Sequence, residues 1–155
     1  VTVSDTRSPA TDTSGALLKA RLESGGHRIV SSEILPDEPA RIRDRVRALA
    51  EADVEAVLLS GGTGIAPRDT TYEAVVGILD RRLDGFGELF RSLSYQEIGT
   101  AAMLSRAVAG TLLSTIVFAM PGSTGACELA IDRLVLPELS HIVGLLRPAA
   151  GSRKS

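Results

Sequence analysis

The chain has 155 residues, the length of one domain, and a chain of this size buries about 68–70% of its unfolded surface without a disulfide or metal. It is 44% hydrophobic but only 3% aromatic, so its core must rest on Leu, Ile, Val and Ala. The net charge of −2, with acidic and basic residues interspersed, argues against a nucleic-acid-binding surface. One cysteine and two histidines argue against an intrachain disulfide and a zinc site. No apolar run approaches the ~18 residues of a membrane span and no signal-like segment is visible, so we expect a cytoplasmic protein without a membrane partner.

Short β-branched runs alternate along the chain with longer helical stretches. We predict strands at residues 1–4, 27–35, 54–59 and 112–120, the last paired with residues 108–110 in a hairpin. We predict helices at residues 14–24, 39–52, 70–82, 85–106 and 125–146. This alternation predicts one α/β domain over residues 1–150, a three-layer α/β/α fold with a mostly parallel sheet and a small β-hairpin. Residues 151–155 are predicted to form a disordered tail.

Local signals refine three of the predicted helices. Thr70 and Glu73 fit a capping box, with Thr70 as the N-cap residue and Glu73 three residues later. The helix at residues 85–106 is expected to break near Ser94 and Gly99. Pro137 is expected to kink or break the last helix.

Three polar segments are predicted to lie beyond the carboxyl ends of the strands, where parallel sheets bind ligands. They are Ser4, Asp5 and Thr6 after the first strand, residues 60–64 after the third, and Pro121, Gly122 and Ser123 after the last. Their meeting at one edge of the sheet predicts a phosphate-binding rim.

The middle segment, Ser60-Gly61-Gly62-Thr63-Gly64, follows a buried strand and shortly precedes a helix. Its glycines let backbone N–H groups approach an anion closely, and its hydroxyls add further donors. It lacks the Lys-Ser/Thr ending of a Walker A loop, and Pro67 stands where a Gly-x-Gly-x-x-Gly fingerprint needs its last glycine. From its residues alone, the segment is either an anion cradle or a plain tight turn.

Two aspartates near these segments are candidates for chemistry. Since Thr70 and Glu73 can cap the following helix, Asp69 is left without a structural task, and a carboxylate beside a phosphate cradle can hold Mg²⁺. Asp37 precedes an Arg-rich helix, and its residues alone favour a helix N-cap. Arg68 is equally compatible with a phosphate contact and with a solvated side chain.

The run at residues 60–71, Ser-Gly-Gly-Thr-Gly-Ile-Ala-Pro-Arg-Asp-Thr-Thr, resembles the signature of the MogA/MoaB family of molybdenum cofactor biosynthesis proteins. The resemblance spans nearly the whole chain, with further matching segments at residues 3–7, 35–38, 85–91, 102–107 and 121–123. The opening Ser-Asp-Thr-Arg and the later Pro-Gly-Ser look closer to MoaB-type than to MogA-type sequences.

The resemblance implies a homotrimer or hexamer whose pocket transfers AMP from ATP to the terminal phosphate of molybdopterin, with Mg²⁺, releasing pyrophosphate. It assigns catalysis and Mg²⁺ binding to Asp37 and Asp69, which overrides the capping interpretation of Asp37. The implied nucleotide and molybdopterin pocket comprises Ser4, Asp5, Thr6, Ser60, Gly61, Gly62, Thr63, Gly64, Arg68, Ser105, Arg106, Pro121, Gly122 and Ser123. It also implies that the product passes to a molybdenum insertase.

Two other functions are compatible with the same fold. One is a catalytically idle, molybdopterin-binding protein of the MoaB type. The other is a CinA-like nucleotide pyrophosphatase, whose domain typically has a different loop after the glycines. The intact Pro67-Arg68-Asp69-Thr70-Thr71 therefore favours adenylyl transfer.

Overall fold

Residues 1–147, which the computed structural model describes, form a six-stranded sheet covered by helices on both faces. Residues 148–150 and the tail predicted at residues 151–155 lie outside the described residues. The strands are β1 (Thr2–Val3), β2 (Ile34–Leu35), β3 (Ala56–Ser60), β4 (Arg81–Arg82), β5 (Val108–Leu112) and β6 (Thr115–Met120). The helices are α1 (Thr13–Ser24), α2 (Pro39–Glu51), α3 (Thr71–Val76), α4 (Asp84–Ile98), α5 (Thr124–Ala130) and α6 (Leu136–Leu146), with a 3₁₀ helix at Gly99–Leu104 and a π-helical segment at Ile131–Val135.

The strands are arranged in the order β2-β1-β3-β6-β5-β4. Strands β1, β2, β3 and β6 run parallel, whereas β5 is antiparallel to both β6 and β4. Only two residues separate β5 from β6, so these strands form the predicted hairpin. The predicted three-layer α/β/α fold with a mostly parallel sheet is confirmed.

Side chains of the central strand β6 alternate between two hydrophobic clusters. Ile116, Phe118 and Met120 pack on the face covered by α1, α4, α5 and α6. Val117 and Ala119 pack on the opposite face, beneath α2 and α3. Because helices cover both faces, every residue of β6 is buried, which explains the continuous apolar run in the sequence.

Two predicted elements are shorter in the structure than their hydrophobic patterns suggested. The strand predicted at residues 27–35 is wrong except for Ile34–Leu35, because β1 is only two residues long and pairs in register with these two residues. The helix predicted at residues 70–82 ends at Val76, and Arg81–Arg82 instead pairs with β5 as the edge strand.

Three local helix signals were only partly right. Thr70 is the N-cap residue of α3, as predicted, but its hydroxyl donates to Asp37 and makes no capping hydrogen bond, so the predicted capping box is wrong. Helix α4 runs through Ser94 without a break and ends at Gly99, whose φ is +66°. Pro137 lies in the first turn of α6, directly after the π-helical segment, where its missing N–H is not needed.

The described helices contain no membrane span. The longest of them, α4, has 15 residues, and none in residues 1–147 is both long and apolar enough to cross a bilayer.

The backbone comes closest to its neighbours at Gly61, directly after β3. Its φ is +109°, in the left-handed region, and its N–H donates to the carbonyl oxygen of Met120 at 2.9 Å. A Cβ at this position would collide with the carbonyl oxygen of Val3, and a Cβ on Gly122 would lie only 3.1 Å from the Gly61 Cα. Glycine at position 61 therefore allows the carboxyl ends of β1, β3 and β6 to meet.

Replacing Gly61 tests this packing. Gly61→Ala is expected to lower the free energy of unfolding by about 2–6 kcal/mol, because backbone strain and overpacking each cost about 1–3 kcal/mol. In Gly125→Ala, the matched control on α5, the new Cβ would meet nothing within 4 Å, so stability should stay the same or rise. Urea denaturation of both variants measures the difference. Equal stability of Gly61→Ala and the unmodified protein would contradict the close approach.

The single thiol is expected to be inert in the folded protein. Cys127 on α5 is fully buried, and burial raises the pKa of its thiol to about 11. Since the thiolate is the reactive form, a disulfide reagent at about pH 8 should react slowly with native protein and completely with urea-unfolded protein. Rapid stoichiometric reaction of the native protein would show that this face of the core opens.

Candidate functional site

The carboxyl ends of the strands bring the predicted polar segments together. Gly61 follows β3 and is hydrogen-bonded to Met120 at the end of β6, which Pro121 follows directly. Because β5 is antiparallel, the residues before it also lie at this edge, and the N–H of Arg106 donates to the carbonyl oxygen of Thr63 at 3.1 Å. The edge thus gathers segments from residues 4–7, 60–71, 105–106 and 121–123.

Asp37 does not cap α2, so the capping interpretation is wrong. The N-cap residue is Glu38, and it makes no side-chain capping bond. Oδ1 of Asp37 instead accepts hydrogen bonds from the N–H of Thr70 at 3.1 Å and from its hydroxyl at 2.5 Å. Asp37 is only 8% exposed, and Gly62 makes room for it, because a Cβ there would collide with Oδ2. The carboxylate is therefore packed against the glycine loop, residues 60–64.

Asp69 lies beyond the other end of the glycine loop and has a structural task, contrary to the prediction. Its Oδ2 accepts the N–H of Ala66 at 2.8 Å, and its own N–H donates to the Ala66 carbonyl oxygen at 2.8 Å. A Cβ on Gly64 would lie 2.7 Å from Oδ2, so this glycine also makes room for a carboxylate. Within the described residues Oδ1 makes no hydrogen bond, which leaves one oxygen for a ligand.

Asp5, in the polar segment after β1, contacts Asp37 and also Arg68, the residue before Asp69. Its Oδ1 accepts the N–H of Asp37 at 3.1 Å, and its Oδ2 forms an ion pair with the guanidinium of Arg68. The hydrogen bond from Arg68 is the main reason that the pKa of Asp5 is lowered, with a contribution from the N–H of Asp37. The Arg68 side chain is 70% exposed, so it can also reach an anion from solvent.

The guanidinium of Arg106 is hydrogen-bonded to backbone carbonyl oxygens of the segment that contains the glycine loop. Its Nε donates to the carbonyl oxygen of Gly64 at 2.9 Å, and its Nη2 donates to that of Asp69 at 3.0 Å. Its Nη1 pairs with Glu73, and the guanidinium lies 5.0 Å from the centroid of the Tyr72 ring. Arg106 and Glu73 therefore stabilise the conformation of residues 63–73.

Arg7 is a site residue that the sequence-based reasoning missed. Its Nη2 donates to the carbonyl oxygen of Gly122 at 2.7 Å, while Nη1 contacts Asp12 at 3.3 Å and the hydroxyl of Ser14. It therefore fastens residues 121–123 to the segment after β1. Its signal in the sequence was its place directly after Thr6, within the segment at residues 3–7 that resembles the family.

The fold itself uses the hydroxyls of four predicted serines. Ser60 is fully buried, with its hydroxyl 3.5 Å from that of Thr2. The Ser4 hydroxyl accepts two backbone N–H groups of the following turn, that of Ser105 accepts the N–H of residue 107, and that of Ser123 caps α5. These segments therefore offer a ligand mainly their backbone groups.

A cavity of about 550 Å³ borders the site on the side of Arg106. It is within the ~300–1,000 Å³ range of small-molecule sites. Charges of both signs line it, from Arg82, Arg91, Arg106, Asp84 and Glu88. A separate cavity of about 430 Å³ lies at the opposite edge of the sheet, by the amino ends of β1 and β3.

Asp37 and Asp69 are the groups at the loop that can hold a divalent cation. Each has one carboxylate oxygen that accepts no hydrogen bond from the described residues, Oδ2 of Asp37 and Oδ1 of Asp69. No group of three or more His, Cys, Asp or Glu within residues 1–147 is placed to hold a metal alone. Mg²⁺ commonly binds through one or two carboxylates together with substrate phosphates, and two aspartates fit that mode.

Comparison with known proteins places the chain in a family. Residues 1–141 match the family model described as a probable molybdopterin binding domain. Molybdenum cofactor biosynthesis protein B of Halalkalibacterium halodurans is 53% identical over 145 residues, covering 92% of this chain and 85% of that protein. A crystal structure of a molybdenum cofactor biosynthesis protein B matches with a TM-score of 0.90 at 52% identity, covering 94% of this chain and 91% of the other. The tungsten cofactor synthesizing protein MoaB from Pyrococcus furiosus matches with a TM-score of 0.85 at 32% identity, covering 94% and 92%.

The family match spans every strand of the sheet, the glycine loop and both aspartates. The sequence likeness and the structural likeness point to the same relatives. The chain therefore belongs to the MoaB family of molybdenum cofactor biosynthesis proteins.

Proposed function

We propose that this protein acts in molybdenum cofactor biosynthesis as a molybdopterin adenylyltransferase. It transfers AMP from ATP to the terminal phosphate of molybdopterin, with Mg²⁺, and releases pyrophosphate. The observation that supports this proposal most is the glycine loop framed by Asp37 and Asp69, each with one uncommitted carboxylate oxygen.

The reaction exchanges one phosphoanhydride bond for another. An oxygen of the molybdopterin phosphate forms a bond to the α-phosphorus of ATP. The bond from that phosphorus to the oxygen bridging the β-phosphate breaks, and its electron pair leaves with pyrophosphate. Catalysis of this kind is mostly positioning and charge neutralisation, so it requires no protein nucleophile. A site of backbone N–H groups, carboxylates and arginines suits it.

Each part of the site has a distinct task in this proposal. The glycine loop supplies backbone donors to the phosphates. Asp37, held by Thr70, and Asp69, held by Ala66, keep their free oxygens at the loop. Mg²⁺ bound by these carboxylates would neutralise phosphate charge and stabilise the leaving pyrophosphate. Arg68 adds an exposed positive charge.

The rest of the molybdopterin molecule needs space beside the loop. We assign its pterin to the cavity of about 550 Å³, because that cavity adjoins Arg106 and opens at the same edge of the sheet. Arg106 would then brace the loop between the pterin and the phosphates.

The proposal includes a homotrimer, or a hexamer built from trimers, in the cytoplasm. Contiguous exposed apolar surface commonly marks an interface. Five large apolar side chains are exposed on α4 and the 3₁₀ helix after it, and we propose that they contribute to this interface: Leu89, Tyr95, Ile98, Met103 and Leu104. We also propose that the adenylylated product passes to a molybdenum insertase.

The direct test incubates the protein with ATP labelled at the α-phosphate, Mg²⁺ and molybdopterin. We expect labelled adenylyl-molybdopterin and one pyrophosphate for each adenylyl group, with both products lost when Mg²⁺ is chelated. Binding of both substrates without product would support the idle binding protein instead. Rapid cleavage of ADP-ribose would support the pyrophosphatase.

Asp69→Asn is expected to lower kcat by about 10²–10³, the cost of removing one electrostatic stabiliser. The fold should persist, because the amide oxygen of Asn can still accept the N–H of Ala66. Steady-state kinetics and a thermal melt measure the two effects. An unchanged kcat of Asp69→Asn would show that Asp69 takes no part in the reaction.

Asp37→Asn is expected to cause a loss of similar size while keeping the acceptor for Thr70. Asp37→Ala should in addition lower stability by about 1–3 kcal/mol, because it leaves the donors of Thr70 unpaired. Asp44→Asn, at an exposed position of α2, is the matched control and should change neither quantity. Full activity of Asp37→Asn would show that Asp37 has only a structural role.

A further inference from the structure

Two buried hydroxyl groups in the segment around the glycine loop have no hydrogen-bond partner. Among the residues that the structure describes, these are the hydroxyls of Thr63 and Thr71, and both residues are at most 1% exposed. A buried hydroxyl without a partner lowers stability, because it has lost its hydrogen bonds to water. Such groups are few in native proteins, so each calls for an explanation.

The Thr71 hydroxyl lies beside the uncommitted oxygen of Asp37. A Cβ added to Gly62 would collide both with Oγ1 of Thr71 and with Oδ2 of Asp37, so the two oxygens flank the same space. The N–H of Thr71 donates to the carbonyl oxygen of Gly62 at 2.9 Å, which holds the residue there. Thr70 fixes Oδ1 of Asp37, whereas Oδ2 has no donor among the described residues. An unpaired donor therefore lies next to an unpaired acceptor.

We propose that Thr71 is a positioning residue for Asp37, and that its hydroxyl donates to Oδ2 when this carboxylate binds the Mg²⁺ and phosphates of the substrates. The inference rests on the proposed adenylyl transfer. The hydroxyl hydrogen rotates about the Cβ–Oγ1 bond, and Oδ2 is the free acceptor beside it. A donor on one lone pair of Oδ2 leaves the other for the ligand, as outer-shell groups do for metal-binding carboxylates.

Thr63 provides a matched control within the same protein. It has the same side chain, the same burial and the same lack of a partner as Thr71. Removing either hydroxyl should therefore have the same effect on stability, so Thr63→Val serves as the control for the melting temperature.

The experiment compares Thr71→Val, Thr71→Ser and Thr63→Val in the full chain. The measurements are the melting temperature without ligands, the rise in melting temperature with ATP and Mg²⁺, and kcat for adenylyl transfer. Valine keeps the shape and removes the unpaired hydroxyl, so both valine variants should melt at the same temperature as the unmodified protein or about 2–4 °C higher. Thr71→Val should lose about 10–100-fold in kcat and most of the rise with ATP and Mg²⁺. Thr71→Ser keeps the hydroxyl and should retain both.

In Thr71→Val, kcat should thus fall while the stability without ligands stays the same or rises, which a merely structural hydroxyl cannot produce. A lower melting temperature of Thr71→Val without ligands, or a kcat within about twofold of the unmodified protein, would overturn the inference. If the unmodified protein forms no adenylyl-molybdopterin, the proposed function fails. The rise in melting temperature with ATP and Mg²⁺ then tests the role of Thr71 alone. An equal rise in Thr71→Val, or no rise in the unmodified protein, would then overturn it.

Discussion

The whole site depends on the absence of Cβ atoms at Gly61 and Gly62. At Gly61 this absence lets the ends of β1, β3 and β6 meet, and at Gly62 it lets the carboxylate of Asp37 pack against the loop. Both residues have positive φ, so another residue type would add strain to the collision. Backbone donors and carboxylates are consequently concentrated at the carboxyl edge of the sheet, where α/β folds bind their ligands.

Most charged groups around the loop are occupied in holding it. Arg7 joins residues 121–123 to the segment after β1, and Asp5 joins Asp37 to Arg68. Arg106 bridges Gly64 to Asp69. Groups that contact a substrate function best when their neighbours fix them in place. The free carboxylate oxygens of the two aspartates lie within this supporting network, which is consistent with a site that positions phosphates rather than one that supplies a nucleophile.

The fold was predictable where the sequence carried long, regular patterns, and the errors arose where a side chain had a distant partner. The apolar run of β6 and the two-residue connection to β5 are local features, so the sheet and the hairpin were predicted correctly. Thr70 and Glu73 looked like a capping box, yet their partners are Asp37 and Arg106, each 33 residues away along the chain. Local patterns could not show those contacts. The resemblance of the whole chain to the family, and not the local sequence pattern, replaced the capping interpretation of Asp37 with a catalytic one.

We propose that the glycine loop and the two aspartates form the nucleotide site. The most direct measurement is a crystal structure with Mg²⁺ and an ATP analogue whose α,β-bridge cannot be cleaved. We expect the phosphates on the N–H groups of residues 62–64, with the cation contacting Oδ2 of Asp37 or Oδ1 of Asp69. A nucleotide bound instead in the cavity by the amino ends of β1 and β3, with neither aspartate in contact, would contradict it.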